Sequence, residues 1–162
     1  MRGSRPGSAW VNAASSAMSD LLTRWSEMLM KTALEQLLAA DEGLRLMPYR
    51  CSAGKLTIGY GTTFPLSEEE ANLLLRHRLE KVLDQCERRF PWWPRLSPAR
   101  KQVIASMGYQ MGMDGLMGFR KMLAAIERND YDTAGKEMVD SKWARSDSPA
   151  RAQRLRKMMV RG

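Results

Sequence analysis

Cysteine and histidine, which build most metal and thiol centres, are nearly absent from this chain of 162 residues. There are two cysteines, Cys51 and Cys86, and one histidine, His77. The cysteines stand far apart and outside any CxxC pattern, so no zinc site can be assembled from this set. Reduced thiols are the default in a cytosolic protein, and the sequence leaves open whether Cys51 and Cys86 pair. We expect neither a metal nor another cofactor.

Long apolar runs are also missing, and a membrane-spanning helix needs about 18 apolar residues in succession. Charged residues interrupt the N-terminal candidates: Asp20, Arg24, Glu27 and Lys31. A secretory signal fits poorly, because the early apolar runs are too short and too polar. Residues 1–17 are small and polar, and we interpret them as a disordered leader or a cloning remnant ahead of a natural start at Met18.

Basic residues outnumber acidic ones by 26 to 18, which gives a formal net charge of +8. Such a charge suits a polyanionic partner, and nucleic acid, an anionic membrane and an acidic cell wall all remain open. The basic residues after Ser141 form either a binding helix or a solvated face. A hydrophobic content of 44% supports a buried core.

The spacing of apolar residues predicts an α+β fold. Residues 20–44 show three- and four-residue steps, which predict a helix. Residues 55–60 alternate, with Leu56 on an apolar face and Thr57 on a polar one, and so predict a half-buried strand. The turn residues at 52–54 make a small hairpin the natural arrangement.

Capping signals divide the rest of the chain into helices. Ser67 and Glu70 form a capping box, which predicts a long connecting helix over residues 67–89. Ser-Pro pairs open two later helices. The later helices are expected at residues 98–107, 119–127, 131–141 and 149–160. We therefore expect a small α/β lobe at about residues 32–66, the connecting helix, and a helical lobe at about residues 95–162.

Glu42 is a candidate general acid. It stands at a helix end before a glycine, where the negative end of the helix dipole disfavours a carboxylate and so favours the protonated form. Cys51 and Thr57 follow at the hairpin, and the three side chains are expected to converge on one groove. By spacing alone, a solvated Glu42 remains the ordinary alternative.

The same residues resemble the catalytic signature of the phage lysozymes, glycoside hydrolase family 24. In that family a Glu is followed after eight residues by Asp or Cys, and after five more by Thr, as in Glu42, Cys51 and Thr57. The segments that carry the resemblance are Asp41–Leu46, Tyr49–Cys51, Gly54–Gly61, Tyr109–Gly112, Gly118-Phe119, Ser141–Trp143 and Pro149–Ala152. Together they cover about residues 32–162.

The resemblance implies a lysozyme-like fold, with hydrolysis of the β-1,4 bond between N-acetylmuramic acid and N-acetylglucosamine in bacterial peptidoglycan. Glu42 would protonate the leaving oxygen, while Cys51 and Thr57 would place the attacking water. Tyr109, Gln110 and Arg151 are the expected substrate-binding residues, with Arg151 near the acid. It further implies a monomeric endolysin that binds no nucleic acid and does not insert stably into the membrane. It would be held in the host cytoplasm until a holin-type pore gives it access to the wall.

The sequence departs from the common family pattern at several positions. Cys51 stands where many relatives have Asp, and a free thiol with a pKa of about 8.5 is mostly neutral at pH 7. Cys51 is thus a perturbed thiolate, a nucleophile, a water-orienting group or an apolar filler. Thr62 replaces a His, and three positions expected along the cleft also differ: Thr63, Met122 and Glu137.

Three other readings remain open. The first is a catalytically impaired wall-binding relative, and the second is a cationic protein that acts on membranes or nucleic acid. The third is a lytic transglycosylase, which would leave anhydro-muramyl ends instead of reducing ends.

Overall fold

The computed structural model describes the backbone of residues 8–162 and the side chains of residues 16–162. The chain divides into two compact units, one up to Leu66 and the other from Ser67 to Gly162. Along the part of the chain that the structure describes, no helix is both long and apolar enough to cross a membrane.

The first unit opens with helix α1, Ser8–Glu42. The helix thus begins inside the stretch for which the sequence predicted a disordered leader, residues 1–17, and residues 1–7 lie outside the described residues. Alanine is frequent in this stretch, and extending an existing helix avoids the unfavourable nucleation step. Gly43, with a φ of +67°, ends the helix.

A small antiparallel sheet follows α1. Its strands are β1 (Arg45–Arg50), β2 (Leu56–Gly59) and β3 (Thr62–Thr63), in the order β1-β2-β3. The hairpin of β1 and β2 matches the prediction, whereas β3 is too short to leave a sequence pattern. Thr57 lies in the central strand, opposite Tyr49 of β1 and Thr63 of β3.

The burial along β2 reverses the predicted faces. Thr57 is only 2% exposed, while Leu56 is 43% exposed. The prediction that Thr57 lies on the solvated face is thus wrong. A threonine tolerates burial when its hydroxyl has hydrogen-bond partners, and this one has them.

The second unit is helical. Its helices are α2 (Glu68–Arg89), α3 (Pro98–Met117), α4 (Arg120–Glu127), α5 (Tyr131–Val139) and α6 (Pro149–Arg161). A 3₁₀ turn, Trp93–Arg95, joins α2 to α3, and a π-helical turn, Trp143–Asp147, precedes α6. The capping box at Ser67 and Glu70 is confirmed, with both reciprocal hydrogen bonds present.

The core of this unit is rich in methionine. Met107, Met122, Met138 and Met159 are fully buried beside aliphatic residues, and their unbranched side chains adapt to irregular spaces in a core. The two tryptophans of the loop after α2, Trp92 and Trp93, are each 6% exposed, so they pack into this core. The helix predicted over residues 98–107 continues to Met117, past Gly108 and through a non-helical Gly112.

Candidate active site

Glu42 is the last residue of α1, and its exposed side chain turns toward the loop between β2 and β3. A methyl group placed on Gly61 would lie 2.8 Å from Oε2 of Glu42 and 3.3 Å from its carboxyl carbon. Gly61 also has a φ of +78°, which favours glycine. The carboxylate therefore occupies space that any side chain at position 61 would fill.

Cys51 follows directly after β1, in the turn that leads to β2. Its backbone N–H donates to the Lys55 carbonyl at 3.0 Å, and the Gly54 N–H donates to the Cys51 carbonyl at 2.8 Å. Hydrogen bonds from the backbone of Ala53, then of Lys55, and from the Thr57 side chain lower the pKa of the Cys51 thiol. Each stabilises the charged sulfur, so this turn favours the thiolate.

Thr57 is a hydrogen-bonding neighbour of the Cys51 thiol. Its single hydroxyl proton is donated to the Lys55 carbonyl at 3.0 Å or to the Cys51 sulfur, and donation to the sulfur lowers the pKa of the thiol. Because Thr57 is buried and Cys51 is partly exposed, the sulfur is the solvent-facing member of this pair. The structure therefore brings Cys51 and Thr57 together. The convergence of Glu42 with this pair on one groove stays a prediction.

The predicted substrate-binding residues belong to the second unit, where Gln110 is the centre of a hydrogen-bond network. Its amide oxygen accepts from Arg151 Nη1 at 2.8 Å and from Trp143 Nε1 at 3.1 Å. Its amide nitrogen donates to Ser148 Oγ at 2.6 Å. This fixes the Gln110 amide and holds the Arg151 guanidinium, while the placement of Arg151 near the acid stays a prediction.

Tyr109 and Arg151 also line an open groove of about 470 Å³ on this unit. Its apolar wall comes from three leucines of α2: Leu75, Leu79 and Leu83. A larger cavity of about 600 Å³ includes Met122, Glu137 and Trp143, two of which differ from the common family pattern. Substrate binding at either place stays a prediction.

Two contributions escaped the sequence analysis. The proximity of Gly61 to Glu42 depends on the fold and leaves no signal in the local sequence. Ser148 belongs to the Ser-Pro pair that opens α6, yet it makes no side-chain capping bond, and its hydroxyl accepts from Gln110. Trp143 is 6% exposed, and a buried indole N–H needs an acceptor, which the Gln110 amide oxygen supplies.

Comparison with known proteins supplies the family. The phage lysozyme family model matches residues 39–161, which include Glu42, Cys51, Thr57 and the Gln110 network. The chain belongs to the phage lysozyme family. The small sheet and helical remainder are those of a lysozyme-like α+β fold, as the sequence predicted.

Individual relatives are distant. The chain is 26% identical over 161 residues to the pre-baseplate central spike protein Gp5 of Enterobacteria phage T4, covering 80% of this chain but 28% of the spike protein. It is 27% identical over 158 residues to a probable T4-type lysozyme of Dictyostelium discoideum, covering 78% and 92% of the two chains. It is 30% identical over 113 residues to an endolysin of Acyrthosiphon pisum secondary endosymbiont phage 1, covering 65% and 73%. These relationships support a peptidoglycan-hydrolysing function.

Proposed function

We propose that this protein is an endolysin that hydrolyses the β-1,4 bond between N-acetylmuramic acid and N-acetylglucosamine in peptidoglycan. The observation that carries the proposal is the position of the Glu42 carboxylate, at the end of α1 and against the glycine turn that follows β2. That carboxylate lies inside the segment matched by the phage lysozyme family. The net charge of +8 suits an anionic cell wall.

In the proposed reaction, Glu42 gives its proton to the glycosidic oxygen as the bond to the anomeric carbon breaks. A water molecule attacks that carbon from the opposite face, so the configuration inverts, and the proton it loses passes to bulk water, from which Glu42 is protonated again. The Cys51 sulfur orients this water, because it is the exposed member of the Cys51–Thr57 pair. Thr57 holds the sulfur in place and does not itself meet the substrate.

The test is product analysis on purified peptidoglycan. We expect the wild-type protein to release fragments with reducing N-acetylmuramic acid ends and Glu42→Gln to release on the order of 1000-fold fewer, since general acid catalysis contributes about that much. Glu35→Gln removes another exposed carboxylate of the same helix and should leave the rate unchanged. Fragments with anhydro-muramyl ends in the mass spectra would instead identify the reaction as that of a lytic transglycosylase. If wild type and Glu42→Gln release fragments at equal rates, Glu42 is not the general acid.

The biological setting belongs to the same proposal. The protein accumulates in the host cytoplasm and reaches the wall when a holin-type pore opens. Fractionation of expressing cells, with and without a co-expressed pore, tests this step. Appearance of the protein in the periplasm without a pore would contradict it.

A further inference from the structure

The N-terminal part of α1 carries an apolar stripe at three- and four-residue spacing, which places its members on one face of the helix. The stripe consists of Met18, Leu21, Leu22, Trp25, Met28 and Leu29, each between 50% and 64% exposed. Six large apolar side chains on three turns form a patch of the kind that marks a binding surface.

This stripe lies outside the part of the chain that resembles lysozymes. The family match begins at residue 39, whereas the stripe ends at residue 29. The family match therefore does not account for its apolar character, and a role of the stripe is independent of the proposed function.

The far side of the same helix is charged but neutral overall. Asp20 and Arg24 stand four residues apart, as do Glu27 and Lys31, so each acid has a base within pairing range. Helices that lie on anionic membranes carry polar faces rich in lysine and arginine. The balanced face here lacks that attraction, and two such helices do not repel each other.

We propose that the stripe is a dimerisation surface whose partner is the same stripe on a second copy of this chain. Burying about 100 Å² for each of the six side chains removes roughly 600 Å² per helix. Two helices together then bury about 1,200 Å², which reaches the lower end of the range for specific interfaces. Tryptophan and methionine, which supply three of the six positions, are enriched in interface cores. The proposal departs from the monomer expected from the sequence.

The experiment is sedimentation equilibrium of the full chain over a wide range of concentrations. We expect wild type to approach twice the chain mass of 18.4 kDa. The double variant Leu22→Glu, Leu29→Glu should remain at the chain mass, because dimerisation would bury two carboxylates per chain. The matched control is Thr23→Glu, Met30→Glu, which has the same seven-residue spacing and number of new charges but lies off the stripe. It should dimerise like wild type.

Circular dichroism of all three proteins checks that the helix persists. We expect equal helix content, because the altered positions are exposed. A wild-type protein that stays at the chain mass at every concentration overturns the proposal, as does equal dimerisation of both double variants. Pelleting with phosphatidylglycerol vesicles separates the remaining alternative. A monomeric wild type that pellets, together with a Leu22→Glu, Leu29→Glu variant that does not, would assign the stripe to membranes instead.

Discussion

Replacing Gly61 with alanine should reduce catalysis far more than it reduces stability. The new methyl group would lie 2.8 Å from Glu42 Oε2, while ordinary contacts lie near 3.5 Å, so the carboxylate must withdraw by roughly 0.7 Å. A misplacement of about 1 Å in a catalytic group lowers the rate on the order of 100-fold. The left-handed backbone at this position adds about 1–2 kcal/mol of destabilisation. We expect a loss of roughly 10- to 100-fold in kcat.

Gly59 offers a matched control for the same substitution. Its φ is +69°, close to the +78° of Gly61, yet a methyl group there would meet nothing within 4 Å. Gly59→Ala should therefore lose similar stability in urea unfolding and keep most of its kcat on purified peptidoglycan. If both variants lose activity in the same proportion, backbone strain is the cause and the space beside Glu42 is irrelevant.

Two further predictions concern the hydrogen bonds of the two units. Hydrogen bonds lower the pKa of the Cys51 thiol, so its alkylation by iodoacetamide should become fast at a lower pH than for free cysteine, and Thr57→Val should shift that profile upward. Cys86 provides the internal reference, because burial raises its pKa to about 11 and it should stay unlabelled. If the pH dependence of Cys51 alkylation is identical to that of free cysteine, the lowered pKa of the Cys51 thiol is contradicted. Gln110→Met removes the acceptor of the Trp143 indole and should lower the free energy of unfolding in urea by about 1 kcal/mol. The loss should shrink in a Trp143→Phe background, and an unchanged loss there would show that the indole bond contributes nothing.

Local chemistry explains which parts of the fold were predictable. The capping box at Ser67 acts within four residues, and so does the Ser97 cap of α3. Gly108 is a position where local chemistry misleads, because a glycine in a helical pattern predicts the end of the helix. In the structure a methyl group at Gly108 would lie 3.1 Å from Cγ1 of Val82, so this glycine serves the close packing of α2 and α3. Val82 lies 26 positions before Gly108, so the local sequence around Gly108 does not indicate this contact.

Some features of the candidate active site were likewise predictable from the sequence, and others were not. The spacing of Glu42, Cys51 and Thr57 was legible through a family resemblance, but the burial of Thr57 was not. Alternation along a strand predicts two faces without saying which one the fold covers. Thr57 lies in the central strand between Tyr49 and Thr63, and its hydroxyl donates to the Lys55 carbonyl, which makes its burial tolerable. These partners belong to the turn and the neighbouring strands, which the alternation pattern does not contain.

The burial of Thr57 also bears on how a thiol serves at a position where relatives have a carboxylate. An isolated thiol is mostly protonated at neutral pH, whereas the groups around Cys51 all hydrogen-bond in the sense that favours its anion. Three of them are backbone groups, those of Ala53, Lys55 and Cys51 itself, and the fourth is the Thr57 hydroxyl, while burial opposes them by raising the pKa of the thiol. A turn that stabilises negative charge at this point suits an oxygen or a sulfur anion alike. In the proposed mechanism, a cysteine at this position would therefore keep the negative charge that a carboxylate would bring and would change mainly the size and softness of the group that orients the water.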